Sequence, residues 1–166
     1  MTLVAKRRED YRAPEFTITD IALDFTLDPS ATKVVSELKV KRQGAANAPL
    51  KLDGEHMQLL EVAIDDLPFG DYEQTDSGLV LNNVPDAFTL RIVTQVNPSE
   101  NKALEGLYLS NGVYCTQCEA EGFRRITYYL DRPDVLARFT VKITGDKASL
   151  PTMLANGNPI EQGSNT

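Results

Sequence analysis

The chain is poor in the residues that bind transition metals, with one histidine and two cysteines in 166 residues. A catalytic zinc usually takes three protein ligands, most often histidine with carboxylate or cysteine. The one histidine, His56, lies in the turn-like stretch Asp53-Gly54-Glu55-His56, where a solvated side chain is far more common than a ligand. We therefore predict that these residues hold no metal ion and no other cofactor.

Long apolar runs are also missing, since none approaches the roughly 20 residues that a membrane-spanning helix needs. The opening residues 1–5 are followed by Lys6-Arg7-Arg8, whereas a secretory signal has its positive charges first. Basic residues are few: 17 lysines and arginines stand against 24 aspartates and glutamates, for a net charge of −7. Without a basic stripe to release phosphate counterions, we expect no nucleic-acid partner. Without a membrane-spanning run or a secretory signal, we expect no membrane partner and a cytoplasmic location. The pair Arg124-Arg125 is predicted to be surface charge.

What the chain does have is alternation of apolar and polar residues, the period-2 pattern of half-buried strands. The first run slips near Asp20, which predicts a β-bulge. One short helical turn is predicted over Asp131-Arg132-Pro133-Asp134-Val135-Leu136, with Asp131 as its N-cap. We therefore predict a single all-β domain over residues 1–166, with several sandwich-like sheets. The alternating runs are Phe16–Leu27, Val35–Lys41, Leu60–Ile64, Phe88–Val96 and Phe139–Ile143.

Cys115 and Cys118 form a C-x-x-C spacing, which indicates redox chemistry only at a helix N-terminus in a βαβ setting. No such setting is indicated here. In an extended segment the two Cβ atoms would lie on opposite faces, about 10 Å apart at roughly 3.3 Å per residue. A disulfide needs about 3.8 Å between Cβ atoms, so we predict two reduced, structural thiols.

Three polar side chains follow at alternate positions: Gln117, Glu119 and Glu121. On an extended strand the two glutamates would share a face about 7 Å apart, a separation that can imitate a glycosidase acid and base. Gln117 and Glu119 would also share a face, and a carboxylate in a cleft can take the α-ammonium of a peptide through charge-assisted hydrogen bonds. Adjacent carboxylates on a solvated face are the more common case, so the residues alone leave these alternatives open.

Several segments resemble the bacterial aminopeptidase N family of thermolysin-like zinc aminopeptidases, and the resemblance covers about Asp10 to Gly163. It implies a saddle-shaped N-terminal β-domain that lies over a catalytic domain and closes one side of its active site. The segments are Asp10-Tyr11-Arg12-Ala13-Pro14, Leu50–Glu55, Ala103-Leu104-Glu105-Gly106-Leu107-Tyr108, Cys115–Arg124 and Ile126–Thr140.

The resemblance implies a parent enzyme that removes N-terminal amino acids from peptides with one zinc ion. In that family the zinc is held by a His-Glu-x-x-His helix and a more distant glutamate, and a Gly-Ala-Met-Glu-Asn segment helps to hold the substrate's amino end. Neither motif occurs in these residues. We therefore expect this chain alone to be inactive, with no catalytic residue, and the zinc to belong to the full-length parent.

Two family positions carry over to this chain. The resemblance implies that Glu119 meets the substrate's free amino group and that Gln117 lines the pocket for the first side chain. The expected partners are thus the parent's catalytic domain and peptide N-termini. Tyr108, Phe123, Tyr128 and Leu136 are predicted to be core, whereas Asp131, Arg132 and Arg138 form ion pairs or meet the catalytic domain, a choice that the sequence leaves open.

In the family the β-domain continues past the position of Thr166, so a truncated sheet with unpaired edge groups is expected. Such a sheet leaves an apolar face uncovered and favours self-association. Two other functions stay open, because a fold does not dictate a function. One is a stand-alone β-sandwich binding module on the same scaffold, and the other is an independent hydrolase that uses Glu119 and Glu121.

Overall fold

A computed structural model describes residues 7–164. Residues 1–6, most of the stretch considered above as a possible secretory signal, lie outside the described part. Within it, the strands fall into a six-stranded, a three-stranded and a two-stranded sheet, so the prediction of an all-β, multi-sheet fold is confirmed. The strands are β1 (Phe16–Thr26), β2 (Thr32–Arg42), β3 (Leu50–Asp53), β4 (Gln58–Ile64), β5 (Leu67–Pro68), β6 (Tyr72–Thr75), β7 (Gly78–Leu81), β8 (Ala87–Val96), β9 (Gly106–Ser110), β10 (Val113–Gln117) and β11 (Arg138–Thr144).

The largest sheet has the strand order β11-β1-β2-β8-β4-β5, and its long central strands alternate buried and exposed residues. The register of β1 against β2 shifts between Ile18 and Asp20, so the predicted bulge is confirmed. A second register shift lies in β4 between Leu59 and Glu61. Because of it, Leu60 points to solvent although its spacing predicted a buried residue.

The two small sheets, β3-β7-β6 and β10-β9, pack on the same core as the large one. Leucines of β3 and β7 are almost fully buried. The segment that follows the β9–β10 hairpin is tied to the large sheet by buried hydroxyls. Ser36 Oγ and Thr127 Oγ1 lie 2.8 Å apart, and Thr94 Oγ1 donates to the Ile126 carbonyl at 2.9 Å. These bonds therefore hold the segment that continues from the end of β10 against the large sheet.

Helical structure in the described part is limited to two 3-10 turns, Arg8–Asp10 and Phe123–Arg125. The predicted helical turn over residues 131–136 is wrong: this stretch is a non-helical turn in which the Val135 N–H donates to the Arg132 carbonyl at 3.2 Å. Leu136 is exposed rather than core, whereas Tyr128 is buried as predicted. No helix among residues 7–164 is long and apolar enough to span a membrane.

Two adjacent buried tyrosines differ in how their hydroxyls are satisfied. The Tyr128 hydroxyl accepts a hydrogen bond from Gln74 Nε2 at 3.0 Å, while the Tyr129 hydroxyl has no partner within the described residues. We expect Tyr129→Phe to raise the free energy of unfolding by roughly 1 kcal/mol, because it removes an unsatisfied buried group. Tyr128→Phe, the matched control, is expected to lower it by about 1 kcal/mol. Urea unfolding at neutral pH measures both, and a destabilised Tyr129→Phe variant would contradict the first expectation.

Tyr128 and Tyr129 also make the free energy of unfolding depend on pH in the alkaline range. Burial, with a smaller contribution from Asp131, raises the pKa of Tyr129 from 10.0 to about 12. Between these two pKa values the unfolded chain releases the Tyr129 proton and the folded chain keeps it. The contribution of Tyr129 to the free energy of unfolding is therefore fully present below pH 10 and is lost as the pH rises towards 12. Tyr129→Phe should therefore flatten the fall in unfolding free energy over this range. Burial also raises the pKa of Tyr128, so part of the slope remains.

Strand β11 lies at the edge of the large sheet and pairs, within residues 7–164, with β1 alone. Phe139 and Val141 are partly exposed on it, so it offers both unpaired backbone groups and apolar surface. We expect the 166-residue chain to self-associate with rising concentration in light scattering. Val141→Lys should shift it towards monomer, whereas Thr140→Lys, on the opposite face, should not. A wild-type chain that stays monomeric over the whole range would contradict the expectation.

Candidate functional site

The candidate site is built on the β9–β10 hairpin. Strand β10 ends at Gln117, which pairs with Gly106 at the start of β9. The chain then turns, and the Gly122 N–H donates to the Cys118 carbonyl at 2.9 Å. We call residues Cys118–Gly122 the acidic turn, since they carry Glu119 and Glu121. The expectation that these glutamates share a strand face is wrong, because the strand ends before either is reached.

Glu119 is exposed at the outer end of the acidic turn. Its carboxylate makes no hydrogen bond or ion pair with any residue in the described range 7–164. Its backbone carbonyl is held instead, because Gln117 Nε2 donates to it at 3.2 Å. The structure thus brings Gln117 and Glu119 together and leaves the carboxylate open to a ligand.

Close backbone packing supports the base of the acidic turn. A Cβ added at Gly122 would lie 2.4 Å from the Gln117 carbonyl oxygen and 3.1 Å from the Gly106 nitrogen. Gly106 has φ +71°, and a Cβ there would lie 2.7 Å from Arg125 Cβ. The close approach at Gly122, and the close approach together with the left-handed backbone at Gly106, favour glycine at both positions, so the two glycines set where the turn sits.

Behind the turn lies a group of charged side chains that includes Arg124 and Arg125, the pair predicted from the sequence to be surface charge. Arg124 and Arg125 have side chains only 15% and 18% exposed, so that prediction is wrong. Arg124 pairs with Asp131 at 3.0 Å and with Glu121 at 3.5 Å, and Arg125 pairs with Glu105 at 3.2 Å. Burial raises the pKa of Asp53, against the opposing effect of the Arg124 guanidinium.

The remaining residues left open by the sequence form separate ion pairs within the domain. Arg132 pairs with Asp134 at 2.7 Å, and Arg138 pairs with Asp20 at 2.6 Å. The Arg132 hydrogen bonds are the main cause that holds the pKa of Asp134 down at about 2. These arginines therefore have partners without a second domain.

The cysteines and the histidine bear on redox and metal chemistry. Cys115 and Cys118 are both free thiols, and burial raises the pKa of Cys118, which disfavours the reactive thiolate. His56 is exposed in its turn and lines an open cavity of about 440 Å³ with Arg125. Residues 7–164 contain no group of three histidine, cysteine or acidic side chains placed to hold a metal ion. The donor set therefore does not fit a catalytic zinc.

Sheets packed on one core, with the exposed Glu119 in a turn that follows the β9–β10 hairpin, define an all-β domain. Residues 15–166 match the family described as Peptidase M1 N-terminal domain. The chain belongs to this family, the N-terminal domain of M1 aminopeptidases, and the resemblance to bacterial aminopeptidase N is confirmed.

The chain is 54% identical over 159 residues to aminopeptidase N of Escherichia coli strain K12, covering 96% of this chain and 18% of that protein. The crystal structure of Legionella pneumophila aminopeptidase A in complex with aspartic acid superposes with a TM-score of 0.87 at 31% identity, over 94% of this chain and 19% of that one. An M1 zinc metallopeptidase from Deinococcus radiodurans, bound to a Tyr-Ser-Ala substrate, gives a TM-score of 0.65 at 19% identity, over 79% and 33%. The last likeness concerns the fold alone. The chain spans about a fifth of the length of the first two relatives.

Proposed function

We propose that this chain is the non-catalytic N-terminal domain of a cytoplasmic zinc aminopeptidase, in which it caps the active site. In this proposal Glu119 binds the α-amino group of a peptide and Gln117 lines the pocket for its first side chain. The observation that carries the proposal is the exposed Glu119 carboxylate, which has no partner within residues 7–164 although its backbone is held. Two free thiols suit a reducing compartment.

The chemistry fits an enzyme that acts at a free amino terminus. A carboxylate accepts charge-assisted hydrogen bonds from an ammonium group, which an internal peptide bond or an acetylated terminus cannot offer. Glu119 therefore binds the free amino terminus of a substrate and does not distinguish its amino-acid sequence. The scissile bond is cleaved by a zinc site on another domain, since the described residues offer no ligand set for that metal. This chain contributes binding and orientation.

Two polypeptides test the proposal: this 166-residue chain and the longer protein that carries it. The longer protein should contain zinc and cleave a peptide with a free amino terminus, and it should leave the N-acetylated form of the same peptide intact. The short chain should show neither zinc nor activity. A longer protein without peptidase activity would favour the stand-alone binding module, and activity in the metal-free short chain would favour the independent hydrolase.

A further inference from the structure

We propose that Arg124 is a positioning residue that holds the acidic turn so that the Glu119 carboxylate can receive a peptide's amino group. This inference rests on the function proposed above and adds a residue that does not itself touch the substrate. It starts from an asymmetry in the turn. Glu119 has no charged partner within the described residues, while Glu121, two residues later, is paired with a largely buried arginine.

Arg124 binds its neighbours through most of its donors. Its Nε lies 3.0 Å from Asp131 Oδ2, its Nη2 donates to the Asp131 carbonyl at 3.2 Å, and its own backbone N–H donates to Asp131 Oδ2 at 3.2 Å. The third nitrogen, Nη1, lies 3.5 Å from Glu121 Oε2. One side chain thus connects the acidic turn to the segment that contains Asp131.

That segment is fixed in turn to another sheet. The Asp131 N–H donates to Asp53 Oδ2 at 3.1 Å, at the end of β3. The backbones of Asp53 and Tyr129 exchange hydrogen bonds of 2.8 and 3.1 Å, and the Glu55 N–H donates to the Arg124 carbonyl at 2.9 Å. The acidic turn is therefore coupled through Arg124 to the three-stranded sheet as well as to its own hairpin.

Charge balance makes this arginine more than a packing residue. The carboxylates of Asp53, Glu121 and Asp131 all face the guanidinium of Arg124, and Asp53 also interacts with Arg132. The Arg124 and Asp131 side chains are 15% and 13% exposed, so water screens their interaction less than it screens a surface pair. Without the guanidinium, the carboxylates would repel one another, and the turn would move away from the body of the domain.

Lysine cannot replace this arrangement in full. A guanidinium presents several N–H donors in a planar fork, whereas an ammonium is a compact point charge on a flexible stem. Arg124→Lys keeps the charge and loses the simultaneous contacts to Asp131 and Glu121. It should therefore show a smaller effect than Arg124→Met, which removes both charge and donors.

The test is a double-mutant cycle between Arg124→Met and Glu119→Gln in the longer enzyme, with a free-amino peptide as substrate. Arg124→Met alone should lower kcat/KM by about tenfold, mainly through a raised KM, since displacement of a binding group by 1 Å can cost this much or more. In the Glu119→Gln background the same change should cost less than about twofold, because a residue that acts through Glu119 has nothing left to position.

Arg91→Met is the matched control, since Arg91 forms an ion pair with Glu61 within the large sheet, and it should leave kcat/KM unchanged. If Arg124→Met prevents folding, Glu121→Gln provides the second variant: it weakens the outer end of the same contact and should lower kcat/KM severalfold in the wild-type background only. Additive effects of Arg124→Met and Glu119→Gln would overturn the positioning role. An unchanged Glu119→Gln enzyme would instead overturn the proposed function.

Discussion

Glu119→Gln, placed in the longer enzyme, is expected to lower kcat/KM for peptides with a free amino terminus by at least about tenfold. The loss of one charged hydrogen bond costs about 1.5–3 kcal/mol. At about 1.4 kcal/mol per decade of rate, this corresponds to roughly 10- to 150-fold. The substitution keeps the size of the side chain, removes its charge and replaces one acceptor oxygen by an NH2 donor.

This substitution breaks no contact that the Glu119 side chain makes within the described part of the domain. The hydrogen bond from Gln117 Nε2 is accepted by the Glu119 backbone carbonyl, which the change leaves in place. The carboxylate has no other partner within the described part of the chain, so no ion pair is broken inside the domain. A fall in kcat/KM would therefore report lost contact with the substrate, not a rearranged turn.

Glu37→Gln provides the matched control, because Glu37 is an exposed glutamate on β2 in the large sheet. Steady-state kinetics of the three proteins should separate Glu119→Gln from the wild type and from Glu37→Gln, with equal thermal unfolding temperatures for all. Kinetics of Glu119→Gln identical to those of the wild type would remove this residue from the substrate site.

The central strands of the large sheet were predictable from the sequence because one face of each is buried. In β1, β2 and β8 the alternation of apolar and polar residues follows directly from that burial. The bulge in β1 was visible as well, since an inserted residue shifts the alternation near Asp20. The bulge in β4 was not, because Leu60 is itself apolar and its spacing fits a regular strand equally well.

The end of β10 and the charge cluster behind the acidic turn depend on contacts between distant residues. Alternate polar side chains at positions 117, 119 and 121 fit a continuing strand, and nothing local shows that β10 ends at Gln117. Arg124 and Asp131 are seven residues apart, a separation at which side chains do not meet directly within a single helix or strand. Their pairing depends on the tertiary fold: residues 126–130 between them are buried in the core, and the Thr127 hydroxyl lies 2.8 Å from that of Ser36.

Gly122→Ala is expected to destabilise the domain more than the tyrosine substitutions proposed above. The added Cβ would lie 2.4 Å from the Gln117 carbonyl oxygen and 3.0 Å from the Cys118 Cα, both of them backbone atoms. A flexible side chain can move away from such a contact, but here the end of β10 or the acidic turn itself has to shift. We expect a loss of roughly 1–3 kcal/mol in the free energy of unfolding, in the range of other overpacked sites.

Gly70→Ala separates this clash from the general effect of replacing a glycine, because a Cβ at Gly70 meets nothing within 4 Å. It should change the unfolding free energy by less than about 0.5–1 kcal/mol in either direction. Urea unfolding of the two variants and the wild type measures the difference, and equal midpoints for both variants would contradict the expectation. If Gly122→Ala also lowers kcat/KM in the longer enzyme while Gly70→Ala does not, this result would support a role of Gly122, at the base of the acidic turn, in positioning that turn.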